Sequence, residues 1–134
     1  MGRTATALIG FAGWLALLSI ANGLYRVRLV LGGKKAVNSF ATDGQDLDPL
    51  GHRLTRARNN CYETLPAFAA LALGASMAGR LDVTDPLAMW VLYARIGQSV
   101  THIISTSVPA VQLRAAFFLA QVLIYLWWAI RLLS

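Results

Sequence analysis

The stretch Arg53-Leu54-Thr55-Arg56-Ala57-Arg58-Asn59-Asn60-Cys61-Tyr62-Glu63-Thr64-Leu65-Pro66-Ala67-Phe68 begins basic and polar and turns apolar without a break. A helix advances about 100° per residue. On that wheel Arg53, Arg56, Asn60, Glu63 and Ala67 fall within an arc of about 80°. The stretch therefore predicts a helix that enters an apolar environment with one polar stripe of two arginines, an asparagine and a carboxylate. A solvated surface helix needs no such stripe. A membrane helix with an anion-binding face does.

The composition agrees. The chain has 134 residues, room for one domain. Hydrophobic residues make up 57% and charged residues 13%, against roughly 25% charged in soluble domains. Mean hydropathy is +0.55, and together these exclude a soluble helical bundle. The net charge is +6, with twelve Lys or Arg against six acidic residues. These cations cluster at the ends of apolar runs, the pattern that orients membrane proteins rather than the one that binds nucleic acid. A single cysteine, Cys61, excludes an internal disulfide. With only His52 and His102 beside it, no metal site is expected.

Four apolar segments predict an all-α membrane protein, a four-helix transmembrane bundle in one domain. The expected spans are residues 5–31, 53–79, 86–107 and 113–133. The first is too long for the apolar region of a signal peptide and reads as a permanent span. The second reaches the roughly 20 residues a bilayer needs only if its polar first turns are counted, so those turns must face protein or water. The third segment is expected to start after Asp85-Pro86. Tyr125, Trp127 and Trp128, near the end of the fourth, are expected to be interfacial aromatics. The connection 32–51 is a polar loop. Its flanks hold Arg26, Arg28, Lys34, Lys35, Arg53, Arg56 and Arg58, against Arg3, Arg80 and Arg131 on the other side. The excess of positive charge puts the first and third loops in the cytoplasm and both termini outside.

The third segment carries a second stripe, in which Arg95, Gln98 and His102 share one face with Ser99. An arginine in mid-membrane costs at least ~2.5–3.5 kcal/mol and needs a partner. Glu63 is the only acid inside a span, so an Arg95–Glu63 pair is the economical expectation. Alone, that pair would only join two helices, and His102 alone would be a packing histidine. The accumulation of Arg53, Arg56, Asn60, Gln98 and His102 around the pair points instead to a cavity for a small polar anion, such as a peptide with carboxylates.

Arg53-x-x-Arg56-Ala57-x-x-Asn60-x-x-Glu63-x-x-Pro66-x-Phe68 resembles the signature of the membrane-associated proteins in eicosanoid and glutathione metabolism, the MAPEG family. Tyr93-Ala94-Arg95-Ile96, followed by Arg114, resembles that family's third span and the start of its fourth. The resemblance covers essentially the whole chain. It implies a homotrimer of four-helix subunits with glutathione bound between neighbours, near the cytoplasmic face. Arg56, Asn60 and Glu63 match residues that contact glutathione in the family, Arg95 matches the third-span arginine, and one of Arg26 and Arg28 matches a basic residue closing the first span. Arg53, Gln98 and His102 complete the expected binding set. Arg114 and Arg28 are the candidates to stabilise the thiolate. Gln98 stands where His or Tyr is common, His102 where several members have Tyr, and Ala115 where the prostaglandin-forming branch has a serine after the arginine. These departures point away from eicosanoid substrates.

What the resemblance implies is a glutathione transferase or peroxidase that uses glutathione as co-substrate against lipophilic electrophiles dissolved in the bilayer. A bacterial inner membrane is the expected location. The alternative is a non-enzymatic membrane module, a transporter subunit or assembly partner, that keeps only the scaffold. A small multidrug transporter would need an embedded carboxylate free of arginines, and Glu63 lies near Arg56.

Overall fold

The computed structural model describes all 134 residues. The chain forms four helices and no strand: α1 Arg3–Leu31, α2 Pro49–Met77, α3 Leu81–Ile104 and α4 Val108–Leu133. Their ends follow local chemistry. Asp48 caps α2, its carboxylate accepting from the Gly51 amide at 3.0 Å, with Pro49 in the first turn, where no N–H is missed. Ser107 caps α4 in the same way, with Pro109 just inside. Gly79 closes α2 in a left-handed conformation, φ 66°, and the Arg80 amide donates back to the Ala75 carbonyl at 2.8 Å.

α3 begins at Leu81, earlier than Asp85-Pro86 would place it. Proline forfeits only one helical hydrogen bond so near a helix start. Asp85 meanwhile turns to α1, where it accepts from the Thr4 amide at 2.9 Å and from the Thr4 hydroxyl. The α2–α3 connection shrinks accordingly to three residues, 78–80.

α1 packs on α2 and α3, α3 packs on α2 and α4, α2 touches α4 only lightly, and α1 and α4 do not pack on each other. Phe68 is the centre of the core, with ring centroids 5.2 Å from Phe11, 5.9 Å from Trp128 and 6.1 Å from Tyr125. Tyr125 and Trp128 are therefore buried core residues rather than interfacial aromatics. Of the three expected at the interface only Trp127 is exposed, with the Arg131 guanidinium over its ring at 5.6 Å. Ala7, Ala72, Ala75 and Ala88 let the backbones approach. Gly97 does the same for α3 and α4, since a Cβ there would meet the Phe117 ring at 2.9 Å.

Only 26 of 134 residues are buried, and these include Arg95, Gln98, Gln121, His102 and Asn22. The outer surface carries Ile9, Leu17, Ile20, Leu24, Trp90, Leu119, Leu123 and Ile130, each more than half exposed. Polar groups inside and large apolar ones outside suit a lipid solvent. α1 and α4 are each long and apolar enough to cross a membrane. α2 is less apolar because its first half holds Arg53, Arg56 and Arg58.

Candidate functional site

Arg95 lies in the middle of the bundle and is fully buried. Its Nη1 donates to Asn60 Oδ1 at 2.8 Å, its Nη2 to Thr64 Oγ1 at 2.7 Å and its Nε to Gln121 Oε1 at 3.2 Å. Gln98 Nε2 donates to the same Asn60 oxygen at 3.2 Å, and Gln121 Nε2 donates to Gln98 Oε1 at 2.9 Å. The expected Arg95–Glu63 ion pair does not form; the two salt bridges of the chain are Lys35–Asp46 and Arg80–Asp82. The reason is angular. Asn60 and Thr64, four residues apart, turn the same face of α2 to Arg95, whereas Glu63 lies about 100° round the helix from Thr64 and is exposed. Three neutral oxygens, from α2 and α4, hold this guanidinium in place of a carboxylate.

Glu63 belongs instead to a polar hollow of about 200 Å³, lined by Asp43, Arg56, Asn59, Asn60 and Glu63. Asp43 arrives from the first loop, which is held in place locally. Lys35 pairs with Asp46 at 2.8 Å, Asp46 accepts from the Ala41 amide, and Asn59 Nδ2 donates to the Thr42 carbonyl at 3.2 Å. The Lys35 ammonium beside it holds the Asp46 carboxyl below its ordinary range. Glu63 also lines one end of an apolar groove between α2 and α4, about 380 Å³, walled by Ala67, Leu71, Phe118, Val122 and Tyr125 among others. A polar hollow and an apolar groove thus meet at one carboxylate.

His102 is buried at the loop end of α3, with Arg114, Arg56 and Arg53 as the arginines around it. Arg53 Nε is committed to the Ile103 carbonyl at 2.8 Å. Arg114 Nε is buried and has no hydrogen-bond partner, and the same holds for His52 Nδ1. This cluster from α2, α3 and α4 is positive, and Arg56 links it to the hollow.

The MAPEG family model matches residues 4–134, essentially the whole chain. The chain belongs to the MAPEG family. Among curated proteins and among solved structures no match is found. Family membership makes this a membrane protein of glutathione or eicosanoid metabolism, and MAPEG proteins are membrane-embedded oligomers.

In this MAPEG chain the expected residues divide into three groups. Arg56, Asn60 and Glu63 line the hollow. Arg95 and Gln98 stand behind it as a buried support that reaches it through Asn60. Arg53 and Arg114 are the arginines around His102. Two residues lie apart. Arg26 donates to Asn22 and to the Ala41 carbonyl, with Phe40 under its guanidinium at 5.2 Å, in a different hollow. Arg28 is exposed in the last turn of α1 and lines neither the hollow nor the groove. Sequence reasoning missed Gln121, Thr64 and Asp43. Gln121 had a legible signal, a lone amide in the long apolar run of α4. Asp43 had none, because a loop residue reaches the site only through the loop's fold.

Proposed function

We propose that this protein is a glutathione-dependent transferase or peroxidase that acts on lipophilic electrophiles, and that its four helices all span the membrane. The observation that carries the proposal is the junction at Glu63 of a polar hollow with an apolar groove between α2 and α4. A water-soluble thiol peptide and a membrane-dissolved substrate need such a junction to meet. Glutathione has two carboxylates and one ammonium. Arg56 can fork onto a carboxylate, and Glu63 or Asp43 can take the ammonium.

The sulfur needs help at neutral pH, since a free thiol titrates near ~8.5 and only the thiolate is nucleophilic. Positive charge close to sulfur lowers that value. Arg114, whose Nε is buried and unpartnered but which lines neither the hollow nor the groove, is the candidate for that role. In a transfer step the thiolate forms a carbon–sulfur bond and the electrophile's leaving group departs with the bonding electrons. The proton released by the thiol passes to water. Tyr125, whose buried hydroxyl also lacks a partner, is the polar group of α4 on the groove wall.

One chain supplies Asp43 and Glu63 against Arg56 in the hollow, an excess of negative charge for an anionic peptide. A neighbouring subunit can correct this with its own Arg28, which is exposed and free to reach outward. This favours a homotrimer with the site at the subunit boundary. The test is a glutathione titration of the detergent-purified protein, followed by absorbance of the bound thiolate. Binding with a depressed thiol pKa supports the enzyme. Binding with an unchanged thiol supports a non-enzymatic membrane module. No binding rejects both glutathione readings.

A further inference from the structure

The hydrogen bonds behind Asn60 have a polarity that their ends dictate. Arginine carries donors only, and a backbone carbonyl is an acceptor only. Gln121, fully buried on α4, lies between one of each. Its Oε1 accepts from Arg95 Nε at 3.2 Å, and its Nε2 donates to the Phe117 carbonyl at 2.9 Å. A flipped amide would set donor against donor at Arg95 and acceptor against acceptor at Phe117. The same Nε2 donates to Gln98 Oε1 at 2.9 Å, which turns Gln98 Nε2 toward Asn60. Asn60 Oδ1 thus receives two donors, Arg95 Nη1 at 2.8 Å and Gln98 Nε2 at 3.2 Å. Gln121 touches both residues that supply them.

A carboxamide has one acceptor oxygen and one NH2 group. With Oδ1 occupied on the buried side, Asn60 Nδ2 has no partner within the chain, and Asn60 lines the hollow of Asp43, Arg56 and Glu63. We propose that Gln121 is a positioning residue for this hollow: through Arg95 and Gln98 it holds the Asn60 carboxamide with its NH2 group outward, so that Asn60 meets the ligand as a donor only. The ligand atom there is an acceptor. On the glutathione reading, on which this inference rests, it is a carboxylate oxygen of the peptide. Arg56 and Asn60, one turn of α2 apart, then offer donors to one anionic group, and Glu63 and Asp43 are left for the ammonium. A network that only tied α2, α3 and α4 together would need as many bonds but no particular direction. Here the direction reaches the wall of the hollow from α4, a helix that does not line it.

Gln121→Glu separates direction from packing. The carboxylate keeps the shape and still accepts from Arg95, but it has no N–H for Gln98 Oε1. Gln98 must then turn its Nε2 to the carboxylate and its Oε1 to Asn60, which draws the Asn60 NH2 group inward. The full-length protein in mild detergent gives three readouts: glutathione affinity by titration, Tm, and water exchange of the Asn60 carboxamide protons by NMR. Their signal is the one absent from Asn60→Asp. In the wild type these protons should exchange freely and become protected when glutathione binds. Gln121→Glu should keep the wild-type Tm, slow the exchange and weaken glutathione binding about threefold or more. Asn60→Asp, which has no donor to offer, should lose about tenfold or more. Added to Asn60→Asp, Gln121→Glu should weaken binding no further, since nothing is left to orient. Protected protons in the unliganded wild type, wild-type affinity in folded Gln121→Glu, or equal weakening in both backgrounds overturns the proposal. If the wild type binds no glutathione, the glutathione reading fails and the exchange decides alone. Slower exchange in Gln121→Glu than in the wild type then upholds the orientation, and equal rates overturn it. If Gln121→Glu does not fold, Gln121→Leu, which also removes the donor to Gln98, takes its place in every arm.

Discussion

Arg95 shows how a membrane interior accommodates a cation without an acid. Its N–H groups are met by an asparagine, a threonine and a glutamine from two helices. Gln121→Leu should therefore destabilise by about 1.5–3 kcal/mol, the worth of a hydrogen bond to a charged group. Arg95→Met should be comparable, and the double variant should cost less than the sum, because both act on one network. Glu63→Gln, outside it, should change stability by no more than about 0.5 kcal/mol while weakening glutathione binding. Chemical unfolding in micelles measures all four. Spacing made Asn60, Arg95 and Gln98 legible in the sequence, since residues three or four apart share a helix face. It left their partners open, because a wheel states which residues share a face and not which face meets the neighbour. At the loop edge, Asp48 accepts from the Tyr25 hydroxyl and the Gly51 amide, and these hold its carboxyl below the ordinary 3.8. A depressed carboxyl stabilises the fold above its unfolded value and loses that contribution as pH falls through the folded one. Stability should thus decline from about pH 3.8 downward in the wild type, and this part of the decline should vanish in Asp48→Ala. Loss of the cap should cost that variant about 1 kcal/mol at neutral pH.

At the scale of elements, four helices were legible because four apolar runs separated by polar loops admit little else in a membrane. The aromatics of α4 were misjudged by position along the chain. Tyr125 and Trp128, three residues apart, turn inward onto Phe68, while Trp127 between them turns outward. Phe68→Ala should cost about 3–5 kcal/mol, measured by unfolding in detergent, as it leaves Phe11, Tyr125 and Trp128 without their common neighbour. The weak contact of α2 with α4 leaves the apolar groove open, and no sequence feature announced it. Ala67 is exposed on its wall. Ala67→Phe should keep stability within about 0.5 kcal/mol and raise KM for bulky lipophilic electrophiles far more than for small water-soluble ones. Equal changes for both would detach the groove from the substrate path.

For the whole molecule, composition alone announced a membrane protein, since 13% charge cannot clothe a soluble surface. Assembly was not legible from residues, because the hollow's lining within one chain has more negative than positive charge. A shared site predicts three copies in native mass spectrometry. It also predicts that Arg28→Gln weakens glutathione binding without changing that number. The central claim is that the assembled cationic cluster turns glutathione into a thiolate at neutral pH. Its most direct test is the absorbance of the bound thiolate against pH for wild type and Arg114→Leu. The account predicts a wild-type midpoint well below the ~8.5 of a free thiol. It predicts a variant whose midpoint returns toward that value while glutathione affinity stays within about tenfold, or 1.4 kcal/mol. Coincident curves would contradict it.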